Sequence, residues 1–168
     1  SPTKTTYIGE AEFEIGALAG SPKKVLTIPL KDLKNRKNRD KDRGALVVRY
    51  EPLSTNNNKI RLDLEGVGLF KKRFLRTNKN LLMFYKPIPS SLERLKENFQ
   101  NSLNEAKLNP SDWILVHKTE IKKGRNPDFD MIDIGLSKLS SGDIDTPILV
   151  KCMDYRNYKQ KVTKYIIC

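Results

Sequence analysis

The chain has 168 residues, of which 31% are charged and 38% hydrophobic, and its formal net charge at pH 7 is +12. This length fits one domain, or one domain with a piece of another. So large an excess of base predicts attraction to polyanions such as nucleic acid, anionic lipid or an acidic protein surface.

Nine short segments are rich in β-branched and aromatic residues, and most are bounded by Asn, Gly, Pro or Ser. They span residues 7–15, 24–30, 45–51, 59–66, 81–86, 113–121, 129–134, 147–155 and 162–168. Many short strands separated by turn signals predict an all-β protein, an antiparallel sandwich.

One segment interrupts the strands. Residues 90–107 place Leu92, Leu95, Phe99, Leu103 and Ala106 at helical spacing, and Asn-Pro follows at 109–110. We therefore predict an inserted amphipathic helix of about four turns near residues 90–109. We expect its apolar face to pack on the sandwich, because the mixed charge of its polar face argues against the alternative of a membrane-surface helix.

Several kinds of segment and site are missing from the sequence. No apolar run approaches the roughly 20 residues of a membrane span, and residues 1–10 lack the apolar core of a signal peptide. Cys152 and Cys168 lack the spacing of a zinc site. These features predict a cytoplasmic protein.

Catalytic motifs are also missing. His117, the single histidine, shares its strand with no evident nucleophile or acid, and no nucleotide-binding or hydrolase motif is present. Asp128 and Asp130 fall on one face of a predicted strand, where two carboxylates are usually solvated. We expect no catalytic residue, no metal and no cofactor, and hence a protein that is not an enzyme.

Basic residues gather in three groups. The first, residues 34–43, belongs to a charged segment at 31–43 that we expect to be a solvated linker; the second is a loop, residues 71–79; and the third is the turn region, residues 118–125. Proteins that bind single-stranded nucleic acid place aromatic side chains among their basic residues, and the nucleobases stack on them. Phe74 is the only aromatic residue within these groups, so the sequence argues against a nucleic-acid partner.

Four stretches resemble copines, proteins with two C2 domains. LFKKRFLRTNKNLLMFYK (69–86) is similar to the first calcium loop of the second C2 domain and the strand after it. VHKTEIKKGRNPDF (116–129) is similar to the next strand and its Asn-Pro turn, and SGDIDTPILVKCMDY (141–155) to the stretch before the third loop. IGEAEFEIGALAGSPKKVLTIPL (8–30) resembles the two strands that close the preceding C2 domain.

The resemblance implies an eight-stranded antiparallel C2 sandwich and a division of the chain. Residues 44–168 would form the C2 domain with its helical insertion, after a basic linker at 31–43. Residues 1–30 would be the closing strands of a preceding C2 domain. The alternative is that residues 1–30 complete the same sandwich.

The resemblance also implies a degenerate calcium site. Calcium takes 6 to 8 oxygen ligands, mostly carboxylates, at the tip of a calcium-dependent C2 domain. The first-loop aspartates fall on Arg73 and Lys79 in this sequence. In the third loop one aspartate is kept as Asp154, and the next falls on Arg156. One carboxylate among cations predicts no calcium binding.

We therefore predict a calcium-independent C2 module that docks on anionic phospholipid, phosphatidylserine or phosphoinositide, as a peripheral membrane protein. The expected contacts are Lys71, Lys72, Arg73, Phe74, Leu75, Arg76, Lys79 and Arg156. A second basic patch comprises Lys118, Lys122, Lys123 and Arg125, although the family's paired strand lysines fall on His117 and Thr119. The alternative is a structural scaffold within a larger assembly, in which the same basic residues bind an acidic protein partner. Loss of the acids by drift in a lysine-rich protein also remains open.

Overall fold

The computed structural model describes residues 3–32, 41–53, 58–70, 77–100 and 110–157. Within them lie nine strands and three α-helices. The strands are β1 Thr3–Glu14, β2 Val25–Pro29, β3 Ala45–Pro52, β4 Lys59–Val67, β5 Lys79–Pro87, β6 Trp113–Lys118, β7 Lys122–Lys123, β8 Ile132–Gly135 and β9 Pro147–Asn157. The helices are α1 Ile15–Gly20, α2 Leu92–Gln100 and α3 Leu136–Ser140.

The strands form two antiparallel sheets that pack face to face. The five-stranded sheet has the order β1-β9-β5-β6, with β7 also paired to β5, and the four-stranded sheet has the order β2-β3-β4-β8. The predicted all-β antiparallel sandwich is confirmed.

The core lies between the sheets and draws on strands from the whole chain. Alternate side chains of each strand point inwards, because successive residues of a strand face opposite sides of the sheet. Fully or almost fully buried core residues include Phe13 of β1, Val48 of β3, Leu64 of β4, Phe84 of β5 and Val150 of β9.

Residues 3–29 belong to this pair of sheets. β1 pairs with β9 from Thr3 opposite Asn157 to Glu14 opposite Pro147, and β2 pairs with β3. Of the two arrangements open from the sequence, the structure therefore has these residues within the same sandwich as the rest of the chain.

Helix α2 covers part of the outer face of the five-stranded sheet. Leu95 packs against Trp113 and Leu149 in a small cluster separate from the main core. Because Leu149 precedes the core residue Val150 in β9, its side chain points to the opposite face of the sheet. The described part of the predicted helix thus packs on the sandwich as expected, while the part predicted beyond Gln100 lies outside the described residues.

Candidate anion-binding surface

The basic loop begins and ends at one end of the sandwich. Six of the predicted contacts, Lys71, Lys72, Arg73, Phe74, Leu75 and Arg76, lie outside the described residues. The residues at its two ends are hydrogen-bonded to each other, since the side-chain amide of Asn78 donates to the carbonyl of Phe70 at 2.8 Å. Phe70 is fixed in turn by its N–H, which donates to the carbonyl of Arg43 at 3.0 Å.

The second basic group lies at the same end. β7 pairs with the first residues of β5, and this register puts Lys123 directly opposite Lys79. Both lysines are exposed. The structure therefore brings one lysine of the loop group and one of the turn group onto neighbouring positions of the same sheet; we call these two residues and Arg125 the basic end.

Two asparagines hold this arrangement together. The side-chain amide of Asn80 donates to the carbonyl of Gly124 at 2.7 Å, and the N–H of Gly124 donates to the carbonyl of Asn78 at 3.1 Å. Gly124 has φ of +105°, a conformation that a residue with a side chain rarely adopts. A fixed turn thus keeps Lys123 opposite Lys79, although like charges directly opposite in a sheet repel each other.

The basic residues of the second group differ in whether an acidic residue forms an ion pair with them. Lys122 forms ion pairs with Asp130 at 2.7 Å and with Glu120 at 3.6 Å, and the hydrogen bond that Lys122 donates to Asp130 raises the pKa of Lys122. Arg125 donates to the carbonyl of Gly68 at 3.5 Å.

Lys79, Lys118 and Lys123, by contrast, are exposed and form no ion pair with any residue that the structure describes. Their charges are the ones available to an external anion.

Asp154, the one acid kept in the resemblance to a calcium loop, has a structural contact. It is 5% exposed, and its carboxylate accepts the N–H of Lys79 at 3.1 Å. It lies opposite Asn80 in the β5–β9 pairing, so it fixes the start of β5. In the described ranges, no three His, Cys, Asp or Glu residues come together in a way that could hold a metal ion.

Arg156 lies at the end of β9 opposite Lys4 of β1, which places its backbone at the same end of the sheet. The side chains of Arg156 and Lys4 are outside the described residues.

Arg43, the last residue of the predicted solvated linker 31–43, is buried, as is Asp32 near its start, so that prediction is wrong for these two residues. Its guanidinium forms an ion pair with Asp32 at 2.6 Å and lies 4.3 Å from the centre of the Phe70 ring. Only 8% of Arg43 is exposed. The pair joins the two sides of the linker, because Asp32 precedes residues 33–40 and Arg43 follows them; residues 33–40 themselves lie outside the described ranges.

His117 is a half-buried residue of β6. Its ring meets the ring of Phe84 edge to face, with 5.9 Å between centroids. Burial, followed by the charge of Lys138, lowers the pKa of His117, while Glu120 opposes this shift. Asp130, which the sequence placed on a strand surface beside Asp128, is the partner of Lys122.

The sequence predicted the basic residues of the basic end but not their arrangement in space. The signal that could have located it is Gly124-Arg125-Asn126-Pro127, a turn sequence directly after Lys122 and Lys123. What the sequence does not show is that this turn lies against Asn78 and Asn80, more than forty residues earlier.

No family model matches the sequence. None of the helices in the described ranges has the length and apolar character needed to cross a membrane.

Proposed function

We propose that the chain is a copine-like C2 module without enzymatic activity that docks on anionic phospholipid through its basic end and does so without calcium. The observation that carries this proposal is the pair Lys79 and Lys123. They are exposed and directly opposite each other, and their ammonium groups form no ion pair with the described residues. The loop that ends just before Lys79 adds four more bases, Lys71, Lys72, Arg73 and Arg76.

The attraction is electrostatic. Each Lys or Arg close to an anionic leaflet contributes about 1 kcal/mol, and the interaction weakens as salt screens it. A lipid phosphate near Lys79 and Lys123 would relieve their mutual repulsion as well as pair with both. The fixed turn at Gly124 supports this role, because the backbones of the two lysines are already held opposite each other before the lipid binds.

We expect lipid binding to need no calcium, because the basic end already carries positive charge. A calcium-bridged module supplies positive charge only when the ion is bound, whereas lysine and arginine side chains supply it permanently. Asp154 is engaged with the backbone of Lys79, which supports a structural use of this carboxylate.

The experiment is co-sedimentation with vesicles of phosphatidylcholine alone, with added phosphatidylserine, and with added phosphoinositide. Each is run with calcium and with a chelator. The double variant Lys79→Glu/Lys123→Glu is compared with Lys23→Glu/Lys59→Glu, which makes the same change in net charge at exposed lysines away from this end.

We expect binding that requires anionic lipid, is unaffected by the chelator and falls at least about 30-fold in the first variant only. An equal loss in both variants would indicate attraction by net charge without a site. Binding only with calcium would contradict the degenerate calcium site. No binding to any vesicle would favour the scaffold alternative, in which the same basic end meets an acidic protein surface.

A further inference from the structure

Strand β6 forms an edge of the five-stranded sheet. Its one neighbour among the described strands is β5, which it meets from Pro87 opposite Trp113 to Met83 opposite Lys118. A strand at such an edge has N–H and C=O groups that can pair with a further strand.

Two consecutive aliphatic residues of this edge are open to solvent. Ile114 is 44% exposed and Leu115 is 39% exposed. Neighbouring residues of a strand point to opposite faces of the sheet, so exposure of both means that the edge is accessible from both faces. Aliphatic side chains on an accessible edge are uncommon in proteins that stay unpaired, because they invite strand addition.

The other edge strands of the two sheets offer less for a partner strand to bind, because they are already hydrogen-bonded, short or half-buried. The outer side of β1 is met by Lys31, whose N–H and C=O exchange two hydrogen bonds with Glu10 at 2.9 and 3.0 Å. β8, at one edge of the other sheet, has four residues. β2, at the other edge of that sheet, has five residues, and its aliphatic side chains are half-buried. Among the described edge strands, β6 therefore has the exposed aliphatic pair.

The charges around β6 select the kind of partner. Lys86 lies opposite Ile114 in the register, Lys118 ends the strand, and the charge of Lys138 acts on His117. Lys86, Lys118 and Lys138 form no ion pair with the described residues.

The acids on either side of β6 are already engaged. Asp112, just before the strand, pairs with Arg94 and accepts the hydroxyl of Ser91. The acid after the strand is Glu120. Its carboxylate accepts the N–H of Asp130 at 2.8 Å and lies 3.6 Å from the ammonium of Lys122. A basic rim with an apolar centre is complementary to a strand that alternates acidic and aliphatic residues. It is not complementary to a second copy of the same edge, and two chains of net charge +12 repel each other.

A bulge divides the edge. The register shifts between Phe84 and Tyr85, so Val116 is the extra residue of β6, and its side chain packs against the core. Bulges limit strand addition. The regular stretch that ends with Leu115 is the one with the exposed aliphatic residues, so the contact is short and centred on Ile114 and Leu115.

We propose that β6 is a docking edge for an extended acidic segment of a partner protein, which adds to the five-stranded sheet as a further strand. This interaction is independent of lipid binding at the basic end. Its backbone hydrogen bonds provide affinity, and the basic rim provides selection for acidic sequences.

The probe is an eight-residue peptide that alternates glutamate and valine, with a lysine–valine peptide of the same pattern as its control. Binding is followed by the fluorescence of Trp113, the single tryptophan, which begins β6. Hydrogen exchange at single-residue resolution then locates the contact. We expect the acidic peptide to slow exchange of amides in residues 113–118 and the basic peptide to leave them unchanged.

Two sets of variants accompany the probe. Leu115→Glu puts a like charge against the peptide at an already exposed position, and we expect affinity to fall about tenfold. Ile144→Glu is the matched control, because Ile144 is 47% exposed in the turn before β9, away from β6. Lys118→Gln/Lys138→Gln tests the basic rim without changing the aliphatic residues, so the proposal does not depend on one variant folding.

Each outcome is decisive. Slowed exchange at 113–118 that is lost in Leu115→Glu and weakened in Lys118→Gln/Lys138→Gln supports the docking edge. Binding of the acidic peptide with slowed exchange at Lys79 and Lys123 instead would overturn it, because the peptide would then be a ligand of the basic end. Equal binding of both peptides, or no change in exchange with the acidic peptide at millimolar concentration, would also overturn it.

Discussion

Exposed basic residues lie both on the outer face of the four-stranded sheet and at the basic end of the five-stranded sheet. On the four-stranded sheet they form ion pairs with acidic residues of the same sheet, and at the basic end they form none with the residues that the structure describes. Arg49 lies 3.4 Å from Asp63 and 3.2 Å from Glu65 across the β3–β4 pair. Arg61 donates two hydrogen bonds to Asp133, at 2.7 and 2.8 Å. Each of these guanidinium groups therefore has a carboxylate within reach before any partner arrives.

At the basic end, the residue opposite Lys79 is another lysine, Lys123. The comparison shows that net charge alone does not locate a binding surface in this protein. The position of the acids does, because an external anion gains most where the protein has left positive charge without an internal partner. Four predictions test this distinction between compensated and uncompensated charge.

The largest effect is expected at the buried ion pair. In Asp32→Asn, the guanidinium of Arg43 stays buried without its counter-charge, and we expect the free energy of unfolding to fall by about 3–5 kcal/mol. Urea unfolding measures this change. Replacing both residues, as Asp32→Asn/Arg43→Met, should restore part of the stability; if the double variant is no more stable than Asp32→Asn, the loss has another cause.

The next effect concerns an uncompensated acid. Glu12 forms no hydrogen bond or ion pair with the described residues, and burial raises its pKa from 4.5 to about 7, with Glu10 adding to the shift and Lys31 opposing it. Between these values the folded state keeps a proton that the unfolded state has lost. The free energy of unfolding therefore falls as pH rises from about 4.5 and levels off above about 7.

Glu12→Gln should remove this dependence. We expect the variant to match the parent near pH 4 and to exceed its free energy of unfolding by on the order of 2 kcal/mol at pH 8, since no carboxylate then has to be desolvated. Urea unfolding of both proteins at the two pH values measures the difference. A difference that does not change with pH would contradict the raised pKa.

A smaller effect on stability, paired with a clear effect on binding, is expected at the basic end. Lys123→Glu converts the repulsive cross-strand pair with Lys79 into an attractive one. The free energy of unfolding should rise by about 0.2–1 kcal/mol, while affinity for anionic vesicles falls. Lys123→Gln is the intermediate control. Loss of both stability and binding would mean that Lys123 supports the fold and would weaken the proposed role.

The smallest effect is expected on the outer face of the four-stranded sheet, where the basic residues have acidic partners. Arg61→Gln removes an exposed ion pair, which usually contributes little because water solvates both groups once they separate. We expect urea unfolding and vesicle binding to match the parent within experimental error. A marked loss of vesicle affinity would show that lipid attraction depends on total charge, and the distinction between the two regions would fail.

Local pattern predicted much of this fold. The alternation in residues 59–66 corresponds to β4, with Ile60, Leu62 and Leu64 buried, and the apolar spacing of residues 92–99 corresponds to α2. These predictions succeed because strand and helix periodicity depend on near neighbours. The predicted strand 113–121 was too long. At Thr119 the backbone N–H still donates to the carbonyl of Leu82, but the side-chain hydroxyl accepts the N–H of Leu82 at 3.0 Å, and the regular pairing of β6 ends before β7 begins.

The candidate site was predictable only in parts. The sequence identifies Lys79 and Lys123 as basic, but their contact depends on the β5–β7 register, which no local pattern determines. The burial of Arg43 likewise depends on Asp32 and Phe70, which lie in different segments. Helices α1 and α3 were not predicted, because six and five residues are too few to show helical periodicity.

The pairing of β1 with β9 determines when the molecule can fold. Thr3 and Asn157 are neighbours although about 150 residues separate them in the sequence, so β1 cannot pair until β9 has been synthesised. Until then Ile8 and Phe13, which end up 2% and 3% exposed, have no sheet to enter. Contacts of such sequence separation are slow to form and leave apolar strands open to aggregation meanwhile. During synthesis, residues 3–14 therefore stay without their partner strand until residues 147–157 have emerged from the ribosome.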